Sequence, residues 1–202
     1  MILKQFFLIV ALSLNCIFSY SQNVIPSTAY LQSCYNKHDC FSISNSALVF
    51  FNPNNNQLIA QFDFNKFKLG NDTLDEWLKE LSETNLVFRG NLNTNDLLSL
   101  SHHNSKSILI NGTIHFNGIS KPYSLELTIF EISKDAILYK DNSQDYFDRV
   151  NANMQLTFYP KDFNIDKKHQ HYKKSVTIAV YRGYINELKQ GMEFLIKDKN
   201  NN

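Results

Sequence analysis

Cys34 and Cys40 bracket His38 in the stretch Cys-Tyr-Asn-Lys-His-Asp-Cys, a grouping that permits three chemistries. In an oxidising compartment the two cysteines form a small-loop disulfide, Cys34–Cys40. Two unpaired thiols are the plain alternative. A metal site built on both sulfurs and His38 would need a fourth ligand that the sequence does not obviously supply. Histidine recurs as His102-His103 and as His169-Gln170-His171. Both groups invite a metal reading, since residues at i and i+2 on a strand share a face. Both groups, however, sit among Ser, Asn, Lys and Gln in stretches that read as loops, where surface histidine is the common case. Asp72, Asp75 and Glu76 cluster three carboxylates, yet they open a helix-like stretch whose N-terminal dipole suits negative charge. No nucleophile elbow, phosphate loop or zinc-type helix motif occurs. The expectation is a chain with no catalytic residue, no metal and no resident cofactor.

The compartment follows from the first two dozen residues. Lys4 precedes an apolar run from Phe6 to Leu12 that continues through Leu14, Ile17 and Phe18 to Ser19-Tyr20-Ser21. This reads as a secretory signal peptide over residues 1–22. A membrane anchor needs about 20 mostly apolar residues, and Ser13, Asn15 and Cys16 interrupt this run. Cys16 raises a lipoprotein alternative, but Leu14-Asn15 before it are not the small residues such processing wants. The expected location is therefore periplasmic or secreted, with no integral membrane segment in the mature chain.

Removal of a leader whose only charge is Lys4 leaves nineteen basic and nineteen acidic residues. A neutral chain offers no pull toward nucleic acid or an anionic membrane. About 180 residues remain, enough for one domain over 23–202 with a real core. Sixteen Phe and ten Tyr against six Gly and four Pro favour strands around a large apolar interior.

Apolar residues recur at every second position, the period of strands with one covered face. Leu58, Ala60, Phe62 and Phe64 alternate with Ile59, Gln61, Asp63 and Asn65. The device repeats at Leu86 and Phe88, at Ile108 to Phe116, and at Tyr123 to Ile129. It appears again at Met154, Leu156 and Phe158, and at Val176, Ile178 and Val180. Leu48 to Phe51 and Ala136 to Tyr139 are further candidates, giving about eight strands. Asn52 to Asn56, Gly70-Asn71-Asp72, Asn117-Gly118 with Lys121-Pro122, and Asp141-Asn142-Ser143 separate them as turns. Asn117-Gly118 with the residues to Pro122 reads as a hairpin loop of several residues. Over 73–82, Leu74, Trp77, Leu78 and Leu81 fall at i, i+3, i+4 and i+7 behind a Thr73/Glu76 capping box. So short a helix must pack on something, and the open end of a barrel is the natural place.

The segment Gly112-Thr113-Ile114-His115-Phe116-Asn117-Gly118-Ile119-Ser120-Lys121-Pro122 resembles the central hairpin of the YceI family. Leu69-Gly70-Asn71 with Leu74-Asp75 and Trp77-Leu78 resembles that family's short helix. Leu86-Val87-Phe88-Arg89-Gly90 resembles its next strand, and Lys161-Asp162-Phe163-Asn164-Ile165 the segment after its penultimate long strand. The resemblance spans 41–188. It departs at the start, where the cysteine loop replaces the family's usual extended segment. The resemblance implies an all-β, antiparallel, lipocalin-like barrel with an apolar tunnel that takes an isoprenoid or similar amphiphile.

Alternation names the candidate interior. Phe62, Phe64, Phe88, Ile110, Ile114 and Phe116 come from the first half of the barrel. Leu125, Leu127, Leu156, Phe158 and Ile178 come from the second, with Trp77 on the helix. These side chains either line a tunnel for an isoprenoid, quinone or fatty-acyl lipid or interdigitate and fill it. The first reading is a non-catalytic lipid-binding protein. The second is a dry β-module used for protein contacts, whose oligomeric state the sequence leaves open. A third reading, an outer-membrane barrel, would turn the apolar face to lipid and use strands of about 9 to 11 residues. The strands read here are mostly shorter, and no aromatic residue closes a last strand.

Overall fold

The computed structural model describes residues 24–32, 41–67, 81, 83–93, 105–130, 149–165, 175–188 and 196. Eight strands are present among them: β1 (Ser27–Gln32), β2 (Phe41–Asn52), β3 (Gln57–Asp63), β4 (Asn85–Asn91), β5 (Lys106–Phe116), β6 (Ile119–Ile129), β7 (Arg149–Phe158) and β8 (Val176–Glu187). Each pairs with the next, and β1 pairs antiparallel with β8, closing a barrel. The antiparallel barrel of about eight strands that the alternation allows, and whose lipocalin-like form the resemblance implies, is the one observed among the described residues.

The alternation is clean on β5. On β5, Ile110, Ile114 and Phe116 are buried, while Ser107, Leu109, Asn111 and Thr113 face solvent. The β5–β6 connection differs from the expected multi-residue loop. Phe116 pairs with Ile119 and the turn is Asn117-Gly118 alone. Both carry positive φ, 51° and 74°, as a tight hairpin turn following the sheet twist requires. Pro122 lies inside β6 opposite Thr113. In the alternating ladder its missing N–H would point toward β7, whose pairing with β6 begins only at Leu125. The proline therefore costs no hydrogen bond and does not end the strand.

β3 departs from one-sided burial. Leu58, Ala60 and Phe62 face the interior as expected, but Ile59 and Gln61 on the outer face are also buried. Ile59 joins Phe50, Val87, Leu188 and Ile196 in a second apolar cluster, with Val24 and Leu48 packed against it. The outer wall of β2–β4 is thus covered by residues from near both ends of the described chain. Phe64, expected at the end of this strand, instead opens a 3-10 turn, Phe64–Lys66, capped by Asp63, whose Oδ1 accepts from Asn65 N at 3.1 Å.

β1 was not among the expected strands. Ala29 and Leu31 are the apolar residues among the buried positions of STAYLQ, with Ser27 the third. It closes the barrel through Ala29↔Val180 and Leu31↔Ile178. A register shift on β7–β8 between Ala152 and Met154 marks a bulge, where Arg182 takes a positive φ of 50° and its N–H donates to Asn153 Oδ1 at 2.8 Å. The expected strand at Ala136–Tyr139, the 73–82 helix with Trp77 except for Leu81, the leader and the Cys34–Cys40 loop lie outside the described residues.

Strand length does not separate this barrel from a transmembrane one, as the sequence had suggested: β2 and β8 have 12 residues, β5 and β6 have 11, and β7 has 10. The sidedness does. Ser124, Glu126 and Thr128 on β6 and Asn151, Asn153, Gln155 and Thr157 on β7 alternate with the buried apolar set and point outward. A transmembrane barrel has the reverse arrangement.

Candidate functional site: the barrel interior

Antiparallel pairing of alternating strands sends every second side chain into one shared space. Phe62, Phe64, Phe88, Ile110, Ile114, Phe116, Leu125, Leu127, Leu156, Phe158 and Ile178 are all buried in a single apolar cluster, as their alternation predicts. Trp77 lies outside the described residues. Leu81, from the same expected helix, packs against this cluster. The interior also receives Ala29, Ala47, Ala60 and Ala152, small residues that the aromatic count did not bring forward.

The two ends of the barrel differ. At the hairpin end lie the ends of β3 and β7, the starts of β4 and β8 and the β5–β6 turn. Here the chain leaves β3 and β7 through two 3-10 turns, Phe64–Lys66 and Pro160–Phe163. They carry Phe64 and Phe163 onto Phe116 and Phe158. Ring centroids are 4.9 Å apart for Phe64–Phe116, 6.0 Å for Phe116–Phe158, and 5.8 Å for Phe163 to each of Phe116 and Phe158. Phe67 meets Phe64 edge-on at 5.6 Å. Tilted and edge contacts of this kind add about 0.5–1.5 kcal/mol per pair beyond area burial.

Polar contacts from distant segments hold this end. Tyr123 stacks on Phe163, donates its hydroxyl to Asp162 Oδ2 at 2.6 Å and accepts from Tyr159 N at 3.0 Å. Burial, reinforced by donation to the carboxylate, pushes the Tyr123 phenol up to about 12. Asn117 Nδ2 donates to the Phe163 carbonyl at 2.9 Å, and the Gly118 N–H donates to Glu83 Oε2 at 2.8 Å. His115 Nδ1 bonds Ser120 Oγ at 3.0 Å. Its Nε2 has no hydrogen bond and lies 3.5 Å from the same Glu83 oxygen, an electrostatic neighbour. The Asn-Gly turn that marks the family-like hairpin thus ties the segment before β4 and the 3-10 turn after β7 to one point. Glu83, Tyr123, Asp162 and the seam residue Asn186 carry no sequence signal for these roles, because each partner is 35 or more residues away.

Among the described residues the interior is chiefly aliphatic and aromatic carbon, with Ser42 buried opposite Leu31, and what it offers is burial and shape. Among the described residues no three or more His, Cys, Asp or Glu converge on a point that could hold a metal ion. The candidates His102-His103, His169 with His171, and Cys34 with Cys40 lie outside the described residues.

No family model matches the chain, and no curated protein matches it. Solved structures do. A polyisoprenoid binding domain from Saccharophagus degradans superposes with a TM-score of 0.59 at 9% identity, over 81% of this chain and 96% of that one. Burkholderia cenocepacia BcnA matches with a TM-score of 0.52 at 12% identity, over 80% of this chain and 97% of its own. A mutant Campylobacter jejuni YceI protein matches at 0.43 and 15% identity, over 71% and 81%. At such identities the likeness is one of fold, which this chain shares with the first two structures over about four-fifths of its own length and nearly the whole of theirs.

Proposed function

We propose that this chain is an exported member of the YceI-like group that holds one long apolar chain, an isoprenoid, quinone or fatty-acyl lipid, inside its barrel and catalyses no reaction. The observation that carries this reading is the sidedness of the strands: all eight contribute inward residues to one continuous apolar cluster, while polar residues occupy the outward positions of β6 and β7. The S. degradans domain of the same fold is described as polyisoprenoid-binding, which supports the class of ligand. Export is supported by the leader-like residues 1–22.

The driving force is transfer of hydrocarbon from water, about 0.8 kcal/mol per buried methylene. Ten methylenes contribute about 8 kcal/mol before the cost of ordering the chain and immobilising the ligand. An isoprenoid or fatty-acyl chain longer than that leaves enough for micromolar binding. The alternative, a filled core used for protein contacts, is favoured by the tight phenylalanine cluster at the hairpin end.

The test is native mass spectrometry of the mature chain purified from its own compartment, with organic extraction of whatever is released. A stoichiometric isoprenoid, quinone or fatty-acyl species establishes the binding reading. A clean apo mass that persists after incubation with a total lipid extract establishes the filled core. An intact leader in the purified chain would overturn export alone.

A further inference from the structure

Asn-Gly occurs twice in this chain, at Asn111-Gly112 and at Asn117-Gly118. The dipeptide carries a chemistry of its own, because glycine has no side chain to keep its backbone nitrogen from reaching the asparagine carboxamide. The fold gives the two copies opposite settings. Gly112 lies inside β5, paired with Gly90 on β4 and Tyr123 on β6, and an added Cβ there would lie 2.2 Å from the Arg89 carbonyl oxygen. Asn111 is an outward strand residue whose Oδ1 accepts from Ser124 Oγ at 2.7 Å. Backbone paired on both sides cannot turn its nitrogen back onto the preceding side chain without breaking the ladder.

Asn117 and Gly118 are instead the two residues of the β5–β6 turn, outside the ladder, with φ of 51° and 74°. Gly118 is exposed, and nothing lies within 4 Å of the place a Cβ would take, so the turn is open to rearrangement and to water. Two hydrogen bonds hold the reacting groups. The Gly118 N–H, the nucleophile, donates to Glu83 Oε2 at 2.8 Å, and Asn117 Nδ2, the leaving group, donates to the Phe163 carbonyl at 2.9 Å. Glu83 is itself buried, which strengthens its charge-assisted bond to the turn.

We propose that Asn117 is a site of spontaneous deamidation, gated by Glu83, and that its conversion loosens the hairpin end. When the Gly118 N–H leaves Glu83, its nitrogen attacks Asn117 Cγ. The new N–Cγ bond closes a cyclic imide, the Cγ–Nδ2 bond breaks, and Nδ2 departs as ammonia with the proton from the Gly118 nitrogen. Water then opens the imide at either carbonyl and leaves aspartate or isoaspartate. Water is the sole co-reactant, and nothing is oxidised or reduced. Both products carry a carboxylate in place of the Nδ2 donor, and a carboxylate cannot donate to the Phe163 carbonyl. Isoaspartate also lengthens the backbone of a turn that Phe116↔Ile119 closes with two residues. The 3-10 turn Pro160–Phe163 thereby loses its tie to the hairpin.

Timed incubation of the full folded chain in mildly alkaline buffer tests the site, with peptide mapping by mass spectrometry and isoaspartyl methyltransferase labelling as readouts. Conversion is expected at Asn117 but not at Asn111 in the fold, and at both in urea. Conversion at Asn111 as fast as at Asn117 in the folded chain, or an Asn117 that stays intact in both wild type and Glu83→Ala, overturns the site. Glu83→Ala should speed conversion at Asn117 about tenfold or more, because losing a hydrogen bond to a charged acceptor raises the open population by about that factor. Glu83→Gln keeps a neutral acceptor, should fall between the two, and replaces the alanine variant if that fails to fold. An unchanged or slower rate in the folded variant overturns the gate. Asn117→Asp reproduces one product. In it the Asn164 and Ile165 amides, which donate to the Lys161 and Pro160 carbonyls, should exchange with deuterium faster than in wild type. Equal exchange overturns the loosening of the hairpin end.

Discussion

Asn186 Nδ2 donates to the Val49 carbonyl at 3.1 Å, joining two strands 137 residues apart at the point where the barrel seam changes partners. Here β2 runs parallel to β8, pairing Phe50 with Asn186, beyond the N-terminal end of β1. The same side chain accepts from Ile25 N and donates to the Ile25 carbonyl, both at 3.2 Å. One buried amide therefore satisfies three backbone groups that no ladder reaches. Asn186→Ala leaves those groups buried without partners and is expected to cost roughly 1–3 kcal/mol, read as a lower urea midpoint at unchanged m-value. Asn186→Asp should cost at least as much, since a carboxylate cannot donate to the two carbonyls.

The Tyr123 hydroxyl latches the hairpin end to Asp162 and Tyr159, so Tyr123→Phe removes both contacts and keeps the ring on Phe163. The expected loss at neutral pH is roughly 1–3 kcal/mol. Its pH dependence has a definite sign. The phenol ionises near its ordinary value of 10.0 in the unfolded chain and only at about 12 in the fold. Its contribution is complete below about pH 10 and is lost as pH rises toward about 12. The stability gap between wild type and Tyr123→Phe should therefore shrink over that window. Urea titrations at about pH 9 and about pH 11 measure it, and a gap that stays constant or widens removes Tyr123 as the source.

What was legible in the sequence was whatever repeats locally. β5, β6, β7 and the first half of β8 show their inward faces as plain alternation, and so the interior residues from Ile110 to Ile178 could be named in advance. β3 hid half of its character, because alternation cannot reveal that Ile59 is covered by Leu188 and Ile196 from far along the chain. β1 offers only two apolar inward residues, too few for a periodic signal. Pro122 looked like the end of a loop, and only the register shows that its N–H is not needed there. The contacts that close the seam and the hairpin end join residues far apart in sequence, and no local pattern encodes them.

Two glycines on one hairpin should respond differently to the same substitution. At Gly112 an added Cβ would lie 2.2 Å from the Arg89 carbonyl oxygen and 2.6 Å from the Phe88 ring, so backbone and core must both shift. At Gly118 nothing lies within 4 Å, but φ is +74°. Gly118→Ala is expected to cost about 1–2 kcal/mol from backbone strain alone. Gly112→Ala should cost more, at or above the roughly 1–3 kcal/mol typical of overpacking, and should also disturb ligand retention through Phe88. Thermal melts paired with native mass spectrometry separate the two, and equal losses with equal ligand occupancy would contradict this account.

The outer cluster gives the cleanest separation of stability from binding. Ile196 is buried against the outside of the barrel with Phe50, Ile59, Val87 and Leu188, on the opposite face of the wall from Ala60 and Phe88. Ile196→Ala removes apolar carbon there and opens a gap that the sheet cannot fill, at an expected cost of about 2–4 kcal/mol. The interior positions of β2–β4 keep their own neighbours, so fatty-acid affinity should remain that of wild type under conditions where both proteins are folded. If Ile196→Ala weakened binding in proportion to its loss of stability, the outer cover and the interior would form one cooperative unit, and the wall between them would not insulate the site.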